Sequence, residues 1–310
     1  MGNVLLYYKY VMITYPKHIM KWQKTICHDL DLTGRIIISH EGINGTVGGT
    51  QTTIERYKTI MRKNSLFSDI DFKESLGGAD CFSRLSIIVK DEIVHLGLNP
   101  HVITADEGGK QLTPTQAHAL IKKQPADLLI FDVRNKVEWK IGHFQQALTA
   151  DINHFRELPN YIDTHLDQFS DKQVLMYCTG GIRCERASAY LKSKNVAKQV
   201  YQLKGGIHRY VEHYPDGFFR GKNYVFDNRI SLKVTDEILG SCLLCRTPGD
   251  NYTNCLNAAC NKHFICCNPC LDRLDNTCST ACYNLVEQNK VNKRPLLKTT
   301  PHYVNRKART

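Results

Sequence analysis

Tyr177-Cys178-Thr179-Gly180-Gly181-Ile182-Arg183-Cys184-Glu185 joins a short apolar run to a helical pattern. Val174, Leu175, Met176 and Tyr177 read as a buried strand, and Glu185 to Lys194, with Ala187, Ala189, Tyr190 and Leu191, reads as the helix that follows. Cys178 therefore lies at a strand-to-helix turn. Gly180 and Gly181 let the backbone adopt positive φ and turn N–H groups toward the sulfur. Those donors, the positive end of the helix dipole and the Arg183 guanidinium all favour thiolate over thiol. Cys178 is thus a candidate nucleophile and Arg183 its electrostatic partner, with Thr179, Gly180, Gly181 and Ile182 forming the loop between them. The arginine follows as Cys-x4-Arg, one residue sooner than in the Cys-x5-Arg loop of cysteine phosphatases, so the cup is tighter and phosphate ester hydrolysis is disfavoured. Cys184 is either a resolving thiol for an oxidised Cys178 or a helix-start residue with no such role. A catalytic Cys178 requires a sulfur that solvent and substrate can reach.

The segments around this loop extend the same architecture. Leu128-Leu129-Ile130-Phe131 is a continuous apolar run, as in a parallel strand covered on both faces, and it delivers Asp132 and Arg134 at its end. Ligands of open α/β sheets bind at the carboxyl ends of strands, so Asp132 and Arg134 are expected on the rim that carries Cys178. Gln199 to Leu203 reads as a third strand, and Lys204-Gly205-Gly206-Ile207 leads into a helix through about Glu212. Upstream, Thr113 caps and Pro114 opens a helix to about Lys123. Thr104 to Leu112 is polar and reads as a linker.

The first hundred residues give strand Val4 to Tyr10, a helix from about Pro16 to Asp29, strand Arg35 to Ser39, strand Thr46-Val47-Gly48, a helix from about Thr52 to Arg62 and strand Leu85 to Val89. This βαββαβ order is that of a ferredoxin-like split βαβ domain. His40-Glu41-Gly42-Ile43-Asn44-Gly45-Thr46-Val47-Gly48-Gly49 lacks the Gly-Lys-Ser/Thr ending of a phosphate loop, and reads instead as a glycine-rich hairpin. Val4 to Tyr8 is too short to span a bilayer.

The chain has 310 residues, enough for two or three cores, and its 42% hydrophobic and 23% charged residues are a globular balance. The net charge of +11 is compatible with a polyanionic partner such as nucleic acid. Nine of the 13 cysteines fall between Cys242 and Cys282. No signal peptide is expected before them, so the cysteines point to a reducing, cytoplasmic compartment. Cys242-x2-Cys245, Cys255-x4-Cys260, Cys267-x2-Cys270 and Cys278-x3-Cys282 make four pairs, hence two four-thiolate sites of the structural zinc type. The pairs could combine sequentially or interleaved. Cys266 competes with Cys267, and His263 could replace one thiolate. Lys290, Lys293, Arg294, Lys298, Arg306, Lys307 and Arg309 form a basic tail for which disorder is the compositional expectation.

Asp132-Val133-Arg134, Glu138-Trp139, Gly142-His143-Phe144, the Cys178 loop and Leu203-Lys204-Gly205-Gly206-Ile207, in this order, resemble a rhodanese domain. With His40 to Thr46 upstream and Asn223-Tyr224-Val225-Phe226-Asp227-Asn228-Arg229 downstream, the chain resembles the rhodanese-containing tRNA uridine hydroxylase family, as far as about Cys282. The resemblance implies an acylphosphatase-like N-terminal domain and oxygen-dependent conversion of a wobble uridine to 5-hydroxyuridine, with Cys178 essential. Cys266 has no counterpart in the family's cysteine pattern.

The expected division is a ferredoxin-like domain over 1–100, a rhodanese domain of parallel α/β type over 101–232, a zinc module over 233–285 and a basic tail over 286–310. The expected partner is the anticodon arm of a tRNA, with molecular oxygen as co-substrate. No flavin or dinucleotide motif, membrane or protein partner is inferred. Candidate RNA contacts, chosen for their nearness to the motifs, are Arg35, Arg84, Lys204, Arg209, Lys222 and Arg229. Two other functions stand beside this one: a sulfurtransferase carrying a persulfide on Cys178, which the loop chemistry supports equally well but which does not require the flanking domains, and a non-catalytic binding module, against which the intact Cys, Gly-Gly and Arg argue.

Overall fold

The computed structural model describes residues 2–294. By its internal contacts the chain divides into two units, one holding the residues through Lys136 together with Gln146–Phe218, the other Val137–Gln145 and the residues from Phe219 onward.

The first unit begins with β1 (Gly2–Tyr10), α1 (Pro16–Asp29), β2 (Thr33–Ser39), β3 (Gly42–Thr50), α2 (Gln51–Lys63), β4 (Asp71–Gly77) and β5 (Leu85–Val89). The sheet order is β4-β1-β3-β2-β5, antiparallel except for the parallel β2–β5 pair. This is the expected ferredoxin-like domain with one difference. The closing strand of the βαββαβ unit is β4, and Leu85–Val89 is a fifth strand added at the other edge. β4 escaped the sequence pattern because Asp71-Phe72-Lys73-Glu74-Ser75-Leu76-Gly77 is mostly polar, and among its side chains only Phe72 and Lys73 are deeply buried. The glycine-rich segment after His40 is the β2–β3 hairpin.

Alternation along β1 gives the sheet two different faces. Leu5 and Tyr7 enter a core with Ile36, Ile38, Val47, Ile54 and Tyr57, each fully buried. Leu6, Tyr8 and Tyr10 are half-buried on the opposite face.

The chain continues through β6 (Lys110–Leu112), α3 (Pro114–Lys123), β7 (Leu128–Asp132), α4 (Lys136–Trp139), β8 (Gly142–Phe144), β9 (Leu148–Thr149), α5 (Leu158–Thr164), α6 (Leu166–Phe169), β10 (Gln173–Tyr177), α7 (Ile182–Ser193), β11 (Gln199–Leu203) and α8 (Gly206–His213). The all-parallel sheet has the order β6-β11-β10-β7-β9. Phe131, Val133, Val174, Met176 and Leu191 pack its core, each burial contributing about 1.5–3 kcal/mol. Thr113 and Gln116 close a capping box at α3. Lys110–Leu112, at the end of the expected linker, is an edge strand along β11.

In the second unit β8 pairs antiparallel with β12 (Phe219–Tyr224), which pairs with β13 (Ser231–Lys233). Val137–Gln145, which falls inside the 101–232 stretch, therefore belongs with the later residues. The hairpin β14 (Tyr252–Asn254) and β15 (His263–Ile265) and the helices α9 (Asn268–Arg273) and α10 (Thr280–Glu287) complete it. Of the basic tail, Lys298, Arg306, Lys307 and Arg309 lie outside the described residues. Among the described residues no helix is long and apolar enough to cross a membrane.

Candidate active site and metal centres

The Cys178 loop is set by its two ends. β10 stops at Tyr177, and α7 starts at Ile182, three residues earlier than the apolar pattern indicated, because Gly181 takes φ 103° as its N-cap. The Gly181 N–H donates to Cys178 Sγ at 3.1 Å. Lys204-Gly205-Gly206-Ile207 fixes the loop from the far side: the amides of Ile207 and His208 donate to the carbonyls of Cys178 and Thr179 at 3.0 and 3.1 Å. Arg183 lies along the first turn of α7 and donates to Thr179 Oγ1 at 3.3 Å.

These surroundings hold the Cys178 thiol down at about 5. Burial pushes it up, but the Cys184 hydrogen bond, the Arg183 charge and the amides of Arg183 and Gly181 outweigh it. Cys184 moves the other way, raised by burial and by its bond to Cys178, so it stays a thiol and acts as donor. This gives Cys184 a role neither sequence alternative contained.

The sulfur does not meet solvent as expected. Cys178 is 0% exposed. The outer face of β1 lies over the loop: a Cβ at Gly180 would stand 3.0 Å from Leu6 Cδ2, one at Gly181 2.8 Å from Tyr8 Oη, and Tyr10 Oη donates to the Ile182 carbonyl at 3.3 Å. Asp132 and Arg134 are likewise fully buried, and pair with each other at 2.6 Å with the guanidinium 5.6 Å from the Tyr177 ring centre. Their place is at the end of β7, where Asp132 is in register with Tyr177.

Sequence reasoning missed Tyr8, Gln111, Glu185 and Gln202. Glu185 is 9% exposed and accepts from Tyr8 Oη at 3.0 Å, Gln111 Nε2 at 3.0 Å and Gln202 Nε2 at 2.9 Å. Burial raises its carboxyl above the usual range against the pull of those donors. An acid seven residues after Cys178, on the buried face of a helix, was the available signal.

Of the basic residues, Arg35, Arg84 and Lys204 are exposed. Arg35 and Arg84 come together, since β2 and β5 place Arg35 beside Ser86 and the Gly34 amide donates to the Arg84 carbonyl. Arg209 is engaged by Asp71 and Glu212, Lys222 by Asp250 at 2.8 Å, and Arg229 by Asp227.

The cysteine-rich segment resolves the pairing. Cys242, Cys245, Cys267 and Cys270 form one cluster and Cys255, Cys260, Cys278 and Cys282 the other, an interleaved arrangement, with the sulfurs of each within 4.8 Å of one another. Cys245–Cys267 and Cys260–Cys278 sulfur separations of 3.5 and 3.6 Å approach the edge of about 3.8 Å that a tetrahedron of zinc–sulfur bonds demands. Both clusters could hold a metal ion, and all thirteen cysteines are free thiols. Cys266 stands outside both sets, its thiol 3.9 Å from Cys242 Sγ. His263 is occupied by Asn254 and Tyr224 and stacks on Tyr252.

A parallel sheet with a Cys-x4-Arg loop at the carboxyl end of its central strand defines a rhodanese-like protein, here joined to an acylphosphatase-like domain. Residues 2–93 match the UPF0176 acylphosphatase like domain, 113–213 the Rhodanese-like domain and 220–283 the Rhodanase C-terminal family. The chain is 40% identical over 278 residues to the tRNA uridine(34) hydroxylase of Corynebacterium urealyticum, covering 87% of this chain and 93% of that one. It is 39% identical over 283 residues to that of Cytophaga hutchinsonii (90% and 89%), and 38% over 287 residues to that of Onion yellows phytoplasma (91% and 92%). The chain belongs to the tRNA uridine(34) hydroxylase family, a family of enzymes.

Proposed function

We propose that this protein hydroxylates the wobble uridine of tRNA to 5-hydroxyuridine, with molecular oxygen as co-substrate and Cys178 as the nucleophile. The observation that carries the reading is the Cys178 loop: a sulfur poised as thiolate by Gly181, Arg183 and Cys184, in a chain that belongs to this enzyme family. A thiolate adding to C6 of a uracil ring raises electron density at C5, the carbon that gains the hydroxyl. Loss of the C5 proton then breaks the C6–S bond and returns the thiolate, and the second oxygen atom leaves as water with two electrons from an external reductant. The unpaired anticodon loop suits this chemistry, because its bases can be turned out to a protein. Arg35, Arg84 and Lys204, exposed, are the proposed phosphate contacts, and Arg209, Lys222 and Arg229 act by holding their acidic partners in place. Productive binding requires the Leu6 and Tyr8 side chains to swing off the loop, since they cover it while β1 itself is paired on both edges.

The two cysteine clusters are proposed zinc sites with a structural role, because four thiolates and no other donor leave no open position for substrate.

The test is mass spectrometry of tRNA nucleosides from cells lacking the gene, complemented with wild type or Cys178→Ser, beside a thiosulfate:cyanide assay on the purified protein. Loss of 5-hydroxyuridine, restored by wild type alone, is the expected result. Unchanged 5-hydroxyuridine in cells with no redundant route, or efficient sulfur transfer to cyanide, would favour the sulfurtransferase instead.

A further inference from the structure

Beside the Cys178 loop lies a cavity of about 450 Å³, within the range of small-molecule sites. Tyr8, Tyr10, Gln111, Glu185, Gln202 and Lys204 are among its lining residues, so both the first sheet and the parallel sheet contribute. Tyr8 and Gly205 join it to the Cys178 loop. A Cβ at Gly181 would meet Tyr8 Oη at 2.8 Å and the Gly205 amide nitrogen at 3.4 Å, and Tyr8 and Gly205 both line the cavity.

The charges in the wall select a neutral ligand. Lys9 and Lys73 are taken up by Asp69 and Asp71, and Lys204 is the lining lysine with no acidic partner among the described residues. A phosphate placed inside would meet Asp69, Asp71, Asp106 and Glu185. A flat polar ring would instead meet two tyrosines, the usual stacking partners of splayed bases, with Lys204 at its edge for a flanking phosphate.

Glu185 is built to sort such rings. An ionised carboxylate has about four acceptor sites. Tyr8, Gln111 and Gln202 fill three, orient the group and leave one. Uracil offers an N–H at N3, which that remaining site can accept. Cytosine offers a lone pair at N3, which it repels.

We propose that this cavity receives the target base and that Glu185 is the specificity-determining residue, reading the N3–H of uracil. The proposal rests on the tRNA reading above and adds to it a site for the base. Tyr8 serves as the movable partition: when N3–H engages Glu185, the tyrosine hydroxyl can be given up, and the cavity opens toward Cys178.

The experiment is fluorescence anisotropy of the full-length protein with labelled anticodon stem-loops identical except at position 34, which carries uridine, 3-methyluridine, cytidine or an abasic site. Wild type should bind the uridine RNA about tenfold or more tighter than the other three, the range expected for one hydrogen bond to a charged group. Glu185→Ala should bring the three base-bearing RNAs within about twofold of one another while leaving the abasic affinity unchanged, since stacking on the tyrosines is retained. Gln111→Met, at an exposed rim position, should reduce the preference part-way and decides the matter with the wild-type comparison if Glu185→Ala does not fold. Equal wild-type affinity for uridine and 3-methyluridine, a full preference retained in Glu185→Ala, or no binding of any stem-loop would each overturn the proposal. The functional reading fails separately: nucleoside analysis can show hydroxylation while wild type ignores the N3 methyl group, or the N3 preference can hold while 5-hydroxyuridine persists without the gene.

Discussion

The Tyr8 hydroxyl donates to the Glu185 carboxylate across 3.0 Å, joining the first strand of the chain to the helix that starts beside Cys178, 177 residues later. Burial, and then the negative charges of Glu185 and Cys178, raise the phenol well above its ordinary value, so Tyr8 remains a donor at any physiological pH. The strand that covers Cys178 is thereby tied to the helix whose first turn helps to ionise it.

Ionisation of Cys178 should be visible as thiolate absorbance near 240 nm, taken as the difference between wild type and Cys178→Ser. The folded value, about 5, lies below the ordinary thiol value of about 8.5, so the thiolate is present above pH 5 and is lost as pH falls through it. By linkage the same ionisation stabilises the fold most above the ordinary thiol range and loses that contribution as pH falls toward 5. Cys184→Ala removes a donor to the thiolate, and the midpoint should move up.

Alkylation should report the roof over the sulfur. Despite its low pKa, Cys178 should react slowly with iodoacetamide, because the residue has no exposed surface. Leu6→Ala opens space above Gly180, and peptide mass spectrometry should find the rate raised about tenfold or more with the ionisation midpoint unchanged. A wild-type rate equal to that of a free thiol would show that β1 does not shield the loop.

The Asp132–Arg134 pair has no exposure on either side. Arg134→Met leaves a buried carboxylate unpaired and should cost about 3–5 kcal/mol in urea unfolding, well beyond an exposed-site change such as Arg35→Met at under about 0.5 kcal/mol.

Metal analysis should find two zinc ions per chain, and Cys255→Ser should remove at least one. Because the clusters interleave, the segment from Cys255 to Cys270 lies within the span of both, so loss of either ion loosens the other. Chelation should speed amide exchange over 242–282 while amides of β10 and β11 stay protected.

Much of this was legible in local patterns. The strand-turn-helix around Cys178 needs only an apolar run, two glycines and a helical repeat, and its boundaries came out within a few residues. β4 and β6 were not legible, because a short polar strand is defined by the partner it finds rather than by its own composition. The pairing of β8 with β12 joins residues about 77 apart, and no local signal reports such a contact. The same holds for Glu185, whose helical position is readable but whose three donors come from three other elements.

By itself the sequence determined the order of the folds, the strand-turn-helix that brings Cys178 and Arg183 into one loop, and the number of four-cysteine clusters. Each of these follows from residue type and spacing within a few tens of residues, where backbone geometry and hydrogen-bond chemistry leave few options. Tertiary structure alone decided which cysteine pairs share a site, that Cys184 is a donor, that Leu6 and Tyr8 roof the sulfur, and that a cavity opens beside it. The roof and the cavity depend on the face presented by a strand from the far end of the chain, set by the packing of apolar surfaces, which is non-directional and carries no mark in the local sequence, while the cysteine pairing depends on how the C-terminal loops cross.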